Sequence, residues 1–289
     1  MRYLDPKADL TFKKIFGEHK DLLISLLNAL LPLADDEQIE SVEYLSPELV
    51  PETYVGKNSI VDVRCRDVKG RQFIVEMQNA YQTFFKDRSL YYATFPIREQ
   101  AEKGDVWNYQ LKHVYVVALL NYEMSDPAFS TESINHDIGL LDKQTHRVFN
   151  DKLTFKYVEI SKFNKSLEEL ETNYDKWLYV LRNLSRLDSQ PDYLRNEIFN
   201  RLFSEAEIAH FSKVELREYE DSLKAYRDIK NSLDTAKAEG RAEGLVEGRA
   251  EGRSETLVEV AKNLLSIGTP IDSIMKATGM TEEEIKCLM

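Results

Sequence analysis

The sequence predicts an α/β domain over residues 1–165 followed by a wholly helical remainder, and three observations predict it. Residues 60–67 and 72–78 alternate apolar and polar side chains in the period-2 manner of strands, and a buried-type apolar run follows at 111–121. Apolar residues recur at helical spacing before these runs and again between them. From Ser166 onward the periodicity is helical and stays so. The expected organisation is therefore a core of 1–165, a helical region of 166–235 packed on it, a Glu-Gly repeat segment of 236–255 and a small helical tail of 256–289.

Phe12, Ile15 and Phe16, continued by Leu22, Leu23, Leu26, Leu27 and Leu30, form an apolar stripe that reads as one or two helices ending near Pro32. Residues 38–50 alternate weakly, as a first strand. Ile60–Asp67 and Gln72–Gln78 are joined by Val68-Lys69-Gly70, a hairpin turn in which glycine accepts positive φ. Residues 81–103 read as a helix and 146–160 as one or two further strands. Leu167, Leu170, Tyr174, Trp177, Leu178 and Leu181 share one helical face, and Ile198, Leu202 and Phe203 belong to the next. Trp107 and Trp177 read as core anchors. The Glu-Gly pairs recur at 239–240, 243–244, 247–248 and 251–252, where Ala, Arg and Glu favour a helix and each Gly costs it about 1 kcal/mol, so a frayed helix or linker is expected. Gly268, Thr269-Pro270 and the capping box Thr281-Glu-Glu-Glu284 mark three helix boundaries in the tail.

Composition narrows the function. With 43% hydrophobic and 30% charged residues the chain is of the soluble globular class, not collagen-like or disordered. The longest apolar stretch, Leu22–Leu33, is too short to cross a bilayer, which needs roughly 20 residues, so no membrane partner is expected. No secretory pattern opens the chain and its two cysteines cannot build a disulfide framework, so a cytoplasmic location is expected. A net charge of −12 argues against a protein that coats nucleic acid non-specifically. It leaves room for a local basic cleft, to which Lys13, Arg64, Arg66, Lys69, Arg71 and Lys86 are candidate contributors. No Walker-type phosphate loop and no Ser-His-Asp signature occurs.

The hairpin carries the chemistry. With a three-residue loop at 68–70, Asp67 pairs with Arg71, and counting back sets Asp62 opposite Glu76 with Cβ atoms about 5 Å apart. Gln78 shares the Glu76 face. The same register gathers Val61, Val63, Cys65, Val75 and Met77 into one apolar layer. Two carboxylates that close repel each other, and a hard divalent cation, Mg²⁺ or Mn²⁺, relieves the cost. An ordinary polar strand face is the competing explanation of the same spacing.

Asp62 in Ile60-Val-Asp-Val63 and Glu76 with Gln78 in Phe73-Ile-Val-Glu-Met-Gln78 resemble the D…ExQ variant of the PD-(D/E)xK nuclease superfamily. More narrowly, the chain resembles the Rpn family of recombination-promoting nucleases and transposases. The resemblance extends through Asp9-Leu-Thr-Phe-Lys-Lys-Ile-Phe16, Arg88-Ser-Leu-Tyr-Tyr92, Val158-Glu-Ile-Ser-Lys-Phe163, Asp175-Lys-Trp177 and the Glu-Gly repeats. It implies a PD-(D/E)xK restriction-endonuclease-like α/β core, a mixed sheet flanked by helices. It also implies Mg²⁺-dependent endonucleolytic hydrolysis of DNA phosphodiesters, in which Asp62, Glu76 and the Met77 carbonyl hold the metal. Gln78 stands where the parent motif has lysine, and glutamine offers hydrogen bonds but no charge. Asp9 and Lys13 in the N-terminal motif, and Arg88 and Tyr92 one turn apart on the helix after the hairpin, are candidate cleft or substrate contacts. A helix N-cap is the other role open to Asp9. The alternative function is a nuclease fold without catalysis that binds DNA or protein. A homodimer through the C-terminal helices suits a double-strand cut.

Overall fold

The computed structural model describes residues 2–49, 59–101 and 108–289. Trp107, read above as a core anchor, lies outside them. The amphipathic start forms two helices, α1 (Asp9–Glu18) and α2 (Lys20–Leu30), whose apolar stripes are fully buried. Short strands β1 (Val42–Tyr44), β2 (Glu48–Leu49) and β3 (Ser59–Ile60) precede the hairpin β4 (Val63–Asp67) and β5 (Gln72–Gln78). Helix α3 (Phe85–Arg98) then leads to β6 (Val114–Leu120), β7 (Asn135–Leu141) and β8 (Val148–Glu159). The helical half holds α4 (Asn173–Asn183), α5 (Glu197–Glu205), α6 (Lys213–Ser266), α7 (Ile271–Thr278) and α8 (Glu282–Lys286).

Six strands make one mixed sheet in the order β1-β4-β5-β6-β8-β7, while β2 and β3 pair separately. The β4–β5 register is Val63↔Val75, Arg64↔Ile74, Cys65↔Phe73 and Arg66↔Gln72, as the three-residue loop requires. Gly70 has φ +81°, and its N–H donates to the Asp67 carbonyl at 3.0 Å, closing the turn. Strand β5 pairs parallel to β6, and β6 parallel to β8. Parallel neighbours on a central strand bury both faces, and every residue of β5 and β6 is buried.

The main core lies between the α1, α2, α4 and α5 layer and one face of the sheet, with Phe12, Phe16, Val63, Val75, Val117, Trp177 and Phe199 in one apolar cluster. Trp177 is fully buried and its indole N–H donates to Ser25 Oγ at 3.1 Å. Asp175 caps α4 reciprocally with Thr172, so the Asp175–Trp177 motif is a helix start and a core anchor. Glu159, fully buried, accepts from His136 Nε2 at 2.7 Å, Lys162 Nζ at 2.9 Å and the Met124 N–H at 2.8 Å. The Val158–Phe163 motif thus ties the end of β8 to β7 and its preceding loop. α3 covers the opposite face through Tyr92, Ala93 and Phe95, packed with Leu49, Val61 and Ile74.

Three expectations change, and one strand had none. The strand expected over 38–50 is two short ones, β1 and β2, in different sheets. The strand expected over 60–67 is interrupted at Val61 and Asp62, where the backbone bends between β3 and β4. The helix expected over 81–103 is shorter, since Tyr81–Phe84 form the approach to α3. Edge strand β7 escapes a reading by alternation because it is exposed from Asp137 onward on both faces and bulges at Gly139–Leu141.

Two compact units divide the chain after Arg227. In the second, Ala261, Ile274 and Ile285 form a small core with Leu264, Leu265, Ile271 and Met275. The Glu-Gly repeat lies within the continuous helix α6. Among the described residues, Gly240, Gly244, Gly248 and Gly252 have nothing within 4 Å of the place a Cβ would take. The helix persists because Ala, Arg and Glu between them favour it. Gly268 and Gly279 take left-handed φ after α6 and α7, and Thr281 caps α8 with Glu284.

Candidate metal centre

Asp62 sits one residue before β4, opposite Glu76 by the ladder count, at the point where β4 has bent away from β5. The bend frees the β5 backbone there, and the two acids fill the gap. The Asp62 N–H donates to Glu76 Oε1 at 3.1 Å, and the Met77 N–H donates to Asp62 Oδ2 at 2.7 Å. Each carboxylate thus grips backbone beside the other. Glu76 is 4% exposed and the Asp62 side chain 15%.

Burial in this setting opposes ionisation. Desolvation raises the Asp62 carboxyl to about 6, against the Met77 N–H and the Lys13 charge, which lower it. Desolvation together with the Asp62 charge raises Glu76 to about 8. The Lys13 and Arg88 charges lower both carboxyls but do not cancel the cost.

Gln78 lies on the Glu76 face of β5. Its Nε2 donates to Glu76 Oε2 at 2.9 Å, and its Oε1 accepts from Arg88 Nη2 at 2.7 Å. Arg88 Nη1 donates to Gln82, and its guanidinium lies over the rings of Phe85 and Tyr92, at 5.1 and 5.8 Å. Glu76, Gln78, Arg88 and Gln82 therefore form one hydrogen-bonded row from β5 onto α3. Gln82 carried no sequence signal, because its part depends on how α3 turns back over the sheet.

On the other side of Asp62 stands α1. Lys13 Nζ is 2.7 Å from Asp9 Oδ1 and 3.7 Å from Asp62 Oδ1. Burial works against the Lys13 ammonium, but the Asp9 hydrogen bond and the Asp9, Asp62 and Glu76 charges outweigh it and hold its pKa above the usual lysine value. Asp9 is the first residue of α1 and not its N-cap, which is Ala8. An open groove of about 380 Å³ runs beside Asp62, with Lys13, Gly17, Tyr44, Pro47 and Ile60 in its walls.

Tyr92 is 6% exposed and packs beneath Arg88, so it supports the row more than it faces solvent. The remaining cations do not form a basic cleft. Arg64 is buried against Glu99 and Gln72, Arg66 pairs with Glu43, Lys69 and Arg71 with Glu37, and Lys86 with Asp126. Arg71 also pairs with Asp67 across the turn, and the others meet acids distant in sequence, so among the described residues the positive charge beside the carboxylates is that of Lys13 and Arg88. His113 stacks on Tyr115 and hydrogen-bonds Thr154, a satisfied residue as its apolar surroundings suggest.

Two buried carboxylates meeting at the bend of a mixed sheet, with Gln two residues after the second, form the D…ExQ arrangement in three dimensions. The description "PD-(D/E)XK nuclease family transposase" matches residues 6–236 of the 289. The chain belongs to that family. The matched span of this family member takes in the whole six-stranded sheet, α1 to α5 and the first turns of α6. No curated protein and no solved structure matches it.

The donor set suits a hard divalent cation. No group of three or more His, Cys, Asp or Glu side chains is placed to hold a metal among the described residues. A site for Mg²⁺ needs fewer, because that ion keeps several waters and takes one or two carboxylates beside a substrate phosphate. The geometry in favour is the pair of carboxylates held against each other at the end of β4: a cation between them would relieve both desolvation and mutual repulsion.

Proposed function

We propose that this family member is a Mg²⁺-dependent DNA endonuclease, with Mn²⁺ as a substitute ion, acting in transposition or recombination. The observation that carries the reading is the reciprocal clasp of Asp62 and Glu76, two carboxylates set together where β4 bends away from β5. Asp62 and Glu76 would hold the ion. Within a strand the N–H and C=O of one residue point to the same edge, so the Met77 carbonyl faces the same side as its N–H, toward Asp62, and completes the oxygen set.

The ion bound there supplies positive charge that draws electron density from a phosphodiester and eases proton loss from water. The chain's own groups do the rest. Burial favours the neutral form of both carboxyls, Glu76 more than Asp62, so a bound cation would favour their ionised form. Gln78 fixes the Glu76 carboxylate in orientation, and Arg88 fixes Gln78. The groove beside Asp62 admits the substrate strand from the α1 side. A cut through both strands needs two such sites, and self-association through the C-terminal helices would provide the second.

Supercoiled plasmid incubated with the purified protein and Mg²⁺, Mn²⁺ or chelator tests this. Asp62→Asn is the control of choice, since it keeps an acceptor for the Met77 N–H that Asp62→Ala would strip. Metal-dependent nicking absent from the variant supports the reading. Equal products from both proteins refute the assignment to Asp62, and none from either favours a binding scaffold.

A further inference from the structure

We propose that Lys13, carried on α1, supplies the positive charge at the scissile phosphate that the neutral Gln78 does not. The inference rests on the nuclease reading above and assigns one group within it. In the parent motif the residue two places after the second acid brings an ammonium to the phosphate; here that residue is an amide with both ends engaged. Gln78 Nε2 is held by Glu76 and its Oε1 by Arg88. Arg88 is engaged in turn, with Nη1 on Gln82 and Nη2 on Gln78, while its Nε is buried without an acceptor among the described residues. Neither side chain can reach a phosphate without breaking the row that orients Glu76.

Lys13 differs in each respect. Its Nζ lies 3.7 Å from Asp62 Oδ1, next to the acid that would face the ion, and its side chain is 40% exposed in the wall of the groove. Its closer ion-pair partner is Asp9, one helical turn earlier, whose own side chain is 62% exposed. An ion pair that open to water contributes little, so a phosphate oxygen can take the place of Asp9 without large cost. The flexible stem and compact charge of lysine suit that exchange.

In the reaction the water oxygen forms a bond to phosphorus and the bond from phosphorus to the leaving sugar oxygen breaks with its electron pair. The proton shed by water is balanced by the one the leaving oxygen takes up. Lys13 remains an ammonium throughout and donates to a non-bridging oxygen, where negative charge grows as the transition state forms. Removing one such donor costs about 10²–10³ in rate.

The test compares full-length wild type, Lys13→Gln and Lys13→Arg for plasmid cleavage with Mg²⁺, and measures Mn²⁺ binding without DNA by electron paramagnetic resonance. Lys13→Gln should lose cleavage about 100-fold. It should bind Mn²⁺ at least as tightly as wild type, because an ammonium beside the ion has gone. Lys13→Arg should keep part of the activity. Undiminished cleavage by Lys13→Gln beside an active wild type overturns the assignment to Lys13 alone. Loss of cleavage with weakened Mn²⁺ binding also overturns it, since Lys13 would then merely shape the site. An inactive wild type instead refutes the underlying nuclease reading.

Discussion

Arg88 donates to Gln78 across 2.7 Å, from α3 to the end of β5, and Gln78 passes that constraint to Glu76 through its own amide. The residue that replaces a lysine is thus an adaptor between a cation and a carboxylate.

Cutting the adaptor should cost stability as well as function. Gln78→Leu leaves Glu76 Oε2 and Arg88 Nη2 without their partners in a site where Gln78 is buried. Each lost partner in such a place costs about 1–3 kcal/mol. Urea unfolding should therefore show a lower midpoint at unchanged slope; an unchanged midpoint would mean that the row contributes nothing.

The acid pair makes the metal-free protein pH-sensitive in a definite direction. Both folded carboxyls titrate above their ordinary values, Asp62 at about 6 and Glu76 at about 8, so the folded state holds protons that the unfolded chain has released. Stability must then fall as pH rises from about 4 to about 8. Melting curves in chelator should show that decline, and Mg²⁺ should reduce it. Asp62→Asn should melt higher than wild type at pH 8 without metal, by an amount on the order of 1–3 kcal/mol. A variant less stable than wild type at that pH would contradict the account of burial and repulsion.

Gly70 sets the register that brings the acids together. At φ +81° an L side chain is strained, and a Cβ would stand 3.3 Å from the Lys112 side chain. Gly70→Ala should lower stability by about 1–2 kcal/mol, read by thermal unfolding. Lys112 can move aside, so the backbone conformation is the larger part.

The glycines of α6 invite the opposite change. With open space around all four, Gly248→Ala adds helix propensity and meets no neighbour. Each such replacement should stabilise the helix by about 0.5–1 kcal/mol, and the set of four should sharpen and raise the circular-dichroism melt at 222 nm. A lower melt would reveal a close contact along the Gly edge.

Much of this was legible in the sequence because it is local. A three-residue turn ending in glycine fixes the pairing of Asp67 with Arg71, and period-2 counting carries that pairing to Asp62 and Glu76. The helix caps at Gly268 and Thr281 are equally local, as is the apolar stripe of α1 and α2. Edge strand β7 was not, because it lacks a consistently buried face to impose alternation. Nor was the fate of most of the basic residues: Arg64, Arg66 and Lys86 look available until the fold brings Glu99, Glu43 and Asp126 to them.

The sequence by itself determined which two carboxylates meet, since strand register is set by turn length and side-chain alternation over a short stretch of chain. Only the tertiary structure decided what charge they meet. Lys13 reaches Asp62 because α1 packs over β4, and Arg88 reaches Gln78 because α3 folds back on β5. Those distances follow from the packing of helices on a sheet, which depends on apolar contacts far apart in the chain.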